Sequence, residues 1–302
     1  MRILNFGSLN IDYVYDVDHF VRAGETLASR ALHRYPGGKG LNQSIALARA
    51  GVSVTHAGKV GPDGEFLVGL LAKNGVDTSL IAISDDERTG NAIIQRDPAG
   101  NNCILLYGGT NKTIDDELSE SIFSRAGKCE WLLLQNEISN LEHIVALGKQ
   151  YGMRIALNPS PAGGIQDALN LDLIDFLILN ETEASVFTGL PVNASQKDLA
   201  WGLIEKFPKT KIILTLGTQG SVYLEAGTEP VFQKAYSVDA VDTTAAGDTY
   251  TGFLLAGIIA GDGVRTSMMR AAAASAIAVT RPGAAVSIPK KSEVEEFLQS
   301  GN

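Results

Sequence analysis

The alternation of short apolar runs with amphipathic stretches constrains the fold of this chain more than any other feature. Apolar runs, many of them rich in β-branched residues, predict strands at residues 3–9, 52–57, 131–135, 154–158, 176–179 and 212–216. Amphipathic or small-residue stretches predict helices at residues 41–50, 65–73, 141–151, 197–206, 264–280 and 293–298. Because buried strands that alternate with helices form parallel sheets covered on both faces, the sequence predicts a three-layer α/β fold with a mostly parallel central sheet.

Two segments, residues 12–35 and 89–107, interrupt this alternation. They contain short strand-like patterns, and the turn Asp-Pro-Ala-Gly-Asn at residues 97–101 separates two such patterns and predicts a β-hairpin. We expect the two segments to form a small separate β-sheet. Since the chain of 302 residues contains no stretch that resembles a long linker, a single α/β domain is predicted over residues 1–302.

Composition and charge limit the classes of partner. The formal net charge of −9 argues against binding to nucleic acids or to anionic membranes, because the overall field repels phosphates. The most apolar stretch is too short and too rich in glycine to span a bilayer, and the chain begins without a signal-peptide pattern. The only two cysteines are expected to be reduced thiols. These features predict a soluble cytoplasmic protein.

The segment Asp-Thr-Thr-Ala-Ala-Gly-Asp at residues 242–248 leads into a long apolar stretch that predicts a buried helix at residues 248–260. The small residues 245–247 leave the first backbone N–H groups of this helix uncovered, and such groups bind anions. Asp248 then lies beside an anion site, where a carboxylate can take a proton from a hydroxyl that attacks a phosphate. An ordinary helix-start carboxylate is the alternative.

A second glycine-rich segment, Pro-Gly-Gly-Lys-Gly-Leu-Asn-Gln at residues 36–43, also opens a predicted helix. Its paired glycines allow a ligand to approach the backbone closely, and Lys39 and Asn42 offer hydrogen-bond donors at the same place. The segment is not a Walker A loop, because the four-residue gap and the Gly-Lys-Ser/Thr ending are missing. A tight turn without a ligand is the alternative.

Two more polar clusters follow predicted strands. Asn180 and Glu183 come after the strand at residues 176–179, and Thr-Leu-Gly-Thr-Gln-Gly at residues 215–220 follows the end of the next strand. Open parallel sheets bind ligands beyond the carboxyl ends of their strands, so both clusters are candidates for a ligand site. An ordinary helix cap that includes Glu183 is the alternative.

In order and spacing, these motifs and the opening Gly-Ser-Leu-Asn-Ile-Asp at residues 7–12 resemble those of the ribokinase-like carbohydrate kinases, the phosphofructokinase-B group. The resemblance covers the whole chain. It is strongest to the ribokinases within the group, because Asn10, Asp12, Lys39 and Asn42 match their sugar-contacting positions. It implies an ATP-dependent kinase acting on a primary hydroxyl of a sugar, with D-ribose converted to ribose 5-phosphate as the expected reaction. A fructokinase, a 2-keto-3-deoxygluconate kinase, a nucleoside kinase and a sugar or nucleotide sensor without catalytic activity are the alternatives.

The resemblance also implies roles for individual residues. Asp248 would be the catalytic base, and the anion hole for the transferred phosphoryl group would be formed by Ala245, Ala246 and Gly247. The sugar would be bound by Asn10, Asp12, Gly38, Lys39, Asn42, Glu137 and Asp248. ATP would be bound by Asn180, Thr215, Gly217, Thr218, Gly220 and Gly247. Mg²⁺ would be held through water by Glu183, and K⁺ would be surrounded by Asp242, Thr244, Ala278, Arg281, Gly283 and Ser287.

By the same resemblance, the segments at residues 12–35 and 89–107 form a β-sheet lid over the sugar. Two copies of the chain are expected to pair through the exposed edges of their lids as a homodimer, since unpaired strands favour pairing. Tyr107 and residues 108–111 differ from the ribokinases at the end of the lid, where the far side of the sugar is read. The expected ligands are therefore a small-molecule sugar and ATP, with neither a nucleic acid nor a membrane as partner.

Overall fold

The central element of the computed structural model, which describes residues 1–165 and 169–300, is a large sheet. Within those residues the sheet has nine strands in the order β13-β12-β11-β10-β9-β8-β1-β4-β5. The strands are β1 (Arg2–Phe6), β4 (Ser53–Val60), β5 (Asp77–Ile83), β8 (Trp131–Gln135), β9 (Arg154–Asn158), β10 (Phe176–Asn180), β11 (Lys211–Thr215), β12 (Ser221–Leu224) and β13 (Val231–Gln233). All neighbours pair in parallel except β11 with β12 and β12 with β13. The predicted, mostly parallel sheet is confirmed.

Helices cover both faces of this sheet. They are α1 (Lys39–Arg49), α2 (Glu65–Lys73), α3 (Asp116–Arg125), α4 (Leu141–Gln150), α5 (Glu181–Thr188), α6 (Gln196–Lys206), α7 (Ala246–Ala260), α8 (Val264–Val279) and α9 (Lys291–Gln299). Successive residues of one strand point to opposite faces, so Leu133 packs in the core with α1, α7 and α8, whereas Leu132 and Leu134 pack in the core with α4 and α5. The three-layer fold is confirmed by these two cores.

A separate small sheet contains the interrupting segments. Its strands β2 (Asn10–Asp16), β3 (Ala31–Gly37), β6 (Gly90–Arg96) and β7 (Asn102–Tyr107) lie in the order β3-β2-β6-β7. The predicted hairpin joins β6 to β7, and the Asp97 side chain closes its turn by accepting hydrogen bonds from the Ala99 and Asn101 N–H groups at 2.9 Å. β7 forms one edge of the sheet, and its Ile104, Leu105 and Leu106 are all more than half exposed.

Several boundaries differ from the predictions. The first strand was predicted to continue to residue 9 but ends at Phe6, because the chain then leaves the large sheet and enters β2 of the small sheet at Asn10. The buried helix begins at Ala246, two residues before its predicted start. β5, β12, β13 and α3 were not predicted, since β12 and β13 are short and the buried residues of α3 are Ser119, Ile122 and Phe123 in an otherwise polar stretch. In the part of the chain that is described, no helix has both the length and the apolarity to cross a membrane.

Candidate active site

A cavity of about 260 Å³ lies beyond the carboxyl ends of β9, β10 and β11 and beside the start of α7. Its walls include residues from all four sequence motifs: Lys39, Asn180, Glu183, Thr215, Ala245, Ala246, Gly247 and Asp248. The motifs are far apart in sequence, and they meet because parallel strands end on the same edge of the sheet. The structure therefore places a lysine, two carboxylates and a helix N-terminus around one cavity.

The first turn of α7 presents backbone donors to this cavity. Ala245 precedes the helix with φ 60°, a left-handed conformation that costs a residue with a Cβ energy and is maintained by its surroundings. The Ala246 N–H turns back to the Thr243 carbonyl at 3.2 Å, so the donors that the turn can offer are those of Ala245, Gly247 and Asp248. Apart from its neighbours and the backbone of α7, no atom of the described residues lies within 4 Å of the position that a Cβ of Gly247 would occupy. A ligand can thus approach the backbone there.

Two amides of α1 hold the carboxylate of Asp248. Asn42 Nδ2 donates to Asp248 Oδ2 at 3.0 Å, and Gln43 Nε2 donates to Asp248 Oδ1 at 2.9 Å. The Asn42 Oδ1 atom is buried and has no hydrogen-bond partner within the described part of the chain, which leaves an acceptor for a ligand. Helices α1 and α7 approach closely because Gly252 has no side chain: a Cβ there would lie 2.3 Å from the Ala46 Cβ. Gln43 was not among the predicted site residues, although it directly follows Asn42.

Lys39 faces three carboxylates. Burial lowers its pKa, but Asp248, Glu137 and Glu183 together outweigh burial and hold the pKa above its ordinary value, so the ammonium group stays charged. Its backbone N–H donates to Glu137 Oε2 at 3.0 Å. The sequence placed Lys39 with the sugar ligands, and the structure additionally makes it a wall of the cavity that Thr215 and α7 line.

A second polar group lies where the small sheet joins the large one. Asn10, 8% exposed, starts β2, and Asn111 Nδ2 donates to its Oδ1 at 2.7 Å. Asn111 also donates to the Leu9 carbonyl and accepts from the Leu9 N–H, so its own orientation is fixed by the backbone. The Asn10 amide group therefore turns its NH₂ away from Asn111. Asn111 was not predicted as a site residue, because only the folded chain brings it to Asn10.

Glycines make room for these side chains. A Cβ on Gly37 would lie 2.2 Å from Asp12 Oδ2, and a Cβ on Gly90 would lie 2.1 Å from Asn111 Nδ2. Gly38, which precedes α1, has φ 96°, a conformation that favours glycine. The local structure thus requires glycine at positions 37 and 38, in addition to any approach of a ligand to the backbone.

Asp12 and Glu137 bring two carboxylates together. Burial, and next the charge of Glu137, raise the pKa of Asp12 to about 6. Glu137 accepts hydrogen bonds from the Ser8 hydroxyl and from the Lys39 N–H. A half-buried carboxylate pair with few donors is a site for a ligand that supplies hydroxyl groups.

The two strand-end clusters differ in what they contribute. Asn180 and Glu183 cap α5 for each other, each side chain accepting from the other's N–H at 2.9 Å, as in the alternative interpretation, and both also line the cavity. Thr215 lines the cavity, whereas the walls do not include Gly217, Thr218 or Gly220. Gly220 is required by β13, because a Cβ would lie 2.0 Å from the Gln233 carbonyl oxygen.

Asp242 joins the turn before α7 to the loop after α8. Its Oδ1 accepts from the Thr244 N–H and its Oδ2 from the Gly283 N–H, both at 2.9 Å. Burial raises the pKa of Asp242, but these donors and the Arg96 charge outweigh burial, and the pKa lies below its ordinary value. The Arg281 side chain instead pairs with Glu293 at 2.6 Å. Among the residues that the structure describes, no three His, Cys, Asp or Glu side chains cluster as metal ligands.

Comparison with known proteins decides the family. The sequence matches the pfkB family of carbohydrate kinases over residues 2–291. The chain belongs to the pfkB carbohydrate kinase family. Within this family it is 34% identical to a ribokinase from Haemophilus influenzae, with 97% of each chain covered.

Solved structures of the pfkB family members agree in fold. A ribokinase from Cryptococcus neoformans in complex with ADP has a TM-score of 0.86 at 32% identity, covering 98% of this chain and 99% of that one. A ribokinase from Arabidopsis thaliana complexed with ribose and ATP has a TM-score of 0.87 at 28% identity and covers 98% of each chain. The predicted kinase family is confirmed.

Proposed function

We propose that this protein is an ATP-dependent ribokinase that transfers the γ-phosphoryl group of ATP to O5 of D-ribose. The observation that carries the proposal is Asp248, a carboxylate in the first turn of α7 that two amides orient and that lies beside unpaired backbone donors and Lys39. The similarity to ribokinases along the whole chain supports ribose as the acceptor.

Proton transfer and charge stabilisation follow from this arrangement. Asp248 takes the proton of the sugar's primary hydroxyl as the O5–P bond forms and the bond from the γ-phosphorus to the bridging oxygen of ADP breaks. The N–H groups of the 245–248 turn, with Ala245, Gly247 and Asp248 as the available donors, stabilise the charge on the transferred group. The Lys39 ammonium, held charged by the facing carboxylates, supplies further positive charge at the phosphates.

The sugar is bound by amides and carboxylates that take its hydroxyls in pairs. Asn10 presents its NH₂ as a donor, because Asn111 occupies its oxygen, while the buried Asn42 Oδ1 and the carboxylates of Asp12 and Glu137 accept. Gly38 allows the sugar to approach the backbone. This mixture of one donor and several acceptors suits a polyhydroxy ligand.

ATP is bound at the strand ends, with its phosphates toward α7. We assign the nucleotide to Asn180, Thr215, Gly217, Thr218, Gly220 and Gly247. Glu183 holds Mg²⁺ through water; its Oε2 is used by the cap of α5, and its other oxygen is available. Such a sparse donor set fits magnesium, which keeps several of its waters and neutralises phosphate charge when bound.

A turnover screen across acceptor sugars tests the proposed function. ADP release is measured with D-ribose, 2-deoxyribose, fructose, 2-keto-3-deoxygluconate and nucleosides, each with ATP and Mg²⁺. We expect the highest kcat/KM with D-ribose. Negligible turnover of ribose together with turnover of another acceptor would reassign the enzyme within the family, and tight ligand binding without phosphotransfer to any acceptor would favour a sensor.

The buried Asp12 predicts a pH dependence of sugar binding. The ionised carboxylate accepts hydrogen bonds from sugar hydroxyls at both oxygens, whereas protonation turns one oxygen into a donor and leaves a weaker acceptor. Because burial raises the pKa of Asp12 to about 6, the ionised form is depleted as pH falls below that value. We expect the KM for ribose to be roughly tenfold higher at pH 5 than at pH 7. The KM for ATP serves as the internal control. An unchanged ribose KM across this range would contradict the assignment, as would the same dependence in Asp12→Asn.

We propose that a potassium ion binds beside the anion hole, surrounded by Asp242, Ser287 and the carbonyl groups of Thr244, Ala278, Arg281 and Gly283. The donor set fits a weakly hydrated cation, because the Asp242 carboxylate stays charged and the loop after α8 meets it. When bound, the ion orders the turn that carries the anion hole. The contacts of Asp242 with Thr244 and Gly283 also suffice for a turn cap without an ion.

Turnover in potassium and tetramethylammonium buffers of equal ionic strength distinguishes a bound potassium ion from a turn cap without an ion. We expect kcat to be at least about fivefold higher with potassium than with tetramethylammonium, whose methyl groups keep its charge away from oxygen ligands. Equal rates would leave Asp242 as a turn cap.

We propose further that the small sheet is a lid over the sugar in a single-domain chain, and that two lids pair in a cytoplasmic homodimer. The exposed apolar residues of the edge strand β7 support pairing, and the two free thiols, Cys103 and Cys129, support a reducing compartment. Sedimentation at micromolar concentration is expected to give the mass of a dimer, and Leu105→Lys, a change on β7, is expected to give a monomer. A wild-type monomer at that concentration would contradict the pairing.

A further inference from the structure

A chain of buried and partly buried amides connects Asp248 to the backbone carbonyls of Gly40 and Ile178. The amide chain consists of Asn5, Gln135, Gln43 and Asn158, and the first three are fully buried. Gln43 is its centre: Nε2 donates to Asp248 Oδ1 at 2.9 Å and to Asn158 Oδ1 at 3.0 Å, and Oε1 accepts from Gln135 Nε2 at 2.8 Å.

The Asn5 end of the amide chain determines where the nitrogen and the oxygen of each following amide group point. Asn5 Nδ2 lies 2.8 Å from the carbonyl oxygen of Gly40, which can only accept, so the Asn5 oxygen must point the other way. That oxygen accepts from Gln135 Nε2 at 3.0 Å, and the second hydrogen of the same NH₂ group goes to Gln43 Oε1. Gln43 is therefore left with its NH₂ directed at Asp248.

The Asn158 end of the amide chain independently requires the same orientation of the Gln43 amide. Asn158 Nδ2 donates to the carbonyl of Ile178 at 2.8 Å, so the Asn158 oxygen is an acceptor and requires the NH₂ of Gln43. A flipped Gln43 would place its oxygen against the Asp248 carboxylate and the Asn158 oxygen at once. Neither of these oxygen–oxygen contacts could be a hydrogen bond, and unpaired acceptors are costly in a buried site.

We propose that Gln43 is a positioning residue for the phosphotransfer step, and that the amide chain behind it holds Asp248 Oδ1 in place while the base acts. The proposal rests on the proposed function, in which Asp248 is the base. Neither Gln43 nor Gln135 is among the described residues that line the cavity, so Gln43 acts through Asp248 and Gln135 acts through Gln43. Because small displacements of a reacting group lower the rate steeply, the loss should appear in kcat and not in the KM for ribose.

Four variants test the positioning role with ribose as acceptor. Gln43→Met keeps the shape and removes the donor, and we expect kcat to fall about 10- to 100-fold with the ribose KM within about twofold. Gln135→Met, which does not touch Asp248, should lower kcat in the same direction by less. Thr210→Val is the matched control, because Thr210 is equally buried but donates only to the Ile174 carbonyl, and its kcat should be unchanged.

The pH dependence of kcat in Gln43→Glu distinguishes a positioning role from a purely structural one. The new carboxyl can donate to Asp248 only when protonated, since two adjoining carboxylates share one proton. We expect kcat of Gln43→Glu to fall with rising pH across a range in which the wild-type kcat is constant. All rates are measured well below the melting temperature of each variant.

The outcomes separate the two proposals. If Asp248→Asn abolishes turnover while Gln43→Met retains a kcat within twofold of wild type, or Gln43→Glu keeps the wild-type pH profile, the positioning role is wrong and the base is not affected. If Asp248→Asn leaves turnover intact, the base itself is wrong. If Gln43→Met fails to fold, the test rests on Gln135→Met. An unchanged kcat of Gln135→Met would contradict the role of the amide chain. A lowered kcat with an unchanged KM for ribose would support it.

Discussion

Replacement of Asp248 by Asn is expected to lower kcat by at least about 10²-fold while the KM for ribose stays close to that of the wild type, because an amide cannot accept the proton of the attacking hydroxyl. The substitution keeps the shape and one acceptor oxygen, so Asn42 can still donate to that position. Steady-state kinetics with ribose and ATP measure the effect.

Asp198→Asn is the matched control for this experiment. Asp198 also lies in the first turn of a helix, α6, where it contacts Ser195 and no residue of the cavity. The kcat of Asp198→Asn should equal that of the wild type. A kcat of Asp248→Asn near the wild-type value would show that Asp248 is only a favourable carboxylate at a helix N-terminus.

The second large effect is expected at Gly40, where α1 crosses the end of β1. A Cβ there would lie 2.4 Å from the Ser8 nitrogen and 2.7 Å from the Gly7 Cα, and backbone atoms cannot move away as a side chain can. We expect Gly40→Ala to lower the free energy of unfolding by about 1–3 kcal/mol. Because α1 carries Lys39 and Asn42, turnover should fall as well.

Gly69→Ala provides the comparison, because Gly69 lies within α2 and, apart from that helix's own backbone, no atom in the described part of the chain is within 4 Å of the position of its Cβ. The same substitution should there stabilise the protein by up to about 1 kcal/mol, as alanine favours a helix over glycine. Urea unfolding curves of both variants give the two values. A Gly40→Ala variant as stable as Gly69→Ala would mean that α1 and β1 are not in backbone contact as described.

The sequence predicted the parts of the fold and site that depend on local pattern. The parallel sheet follows from its apolar runs, and Asp248 follows from a helix start with small residues before it. Because parallel strands end on one edge, the motifs could also be predicted to meet. The mutual cap of Asn180 and Glu183 is local too, and it agrees with the helix-cap alternative that the sequence left open.

The remainder depends on contacts between distant residues. Gln43 and Asn111 escaped prediction because their partners lie 205 and 101 residues away in sequence. The Ala246 N–H was predicted to face the anion but donates to the Thr243 carbonyl, since the left-handed Ala245 turns the chain back at that point. Short strands such as β13 form because β12 offers an edge, not because of their own sequence pattern.

Product analysis tests the central claim most directly. The protein is incubated with D-ribose, ATP, Mg²⁺ and K⁺, and the products are followed by ³¹P NMR alongside ADP release. We predict one new phosphomonoester resonance, coupled to the two hydrogens on C5 of ribose, that grows in step with ADP. A phosphate on a different oxygen, or ADP release without any sugar phosphate, would contradict transfer to ribose O5.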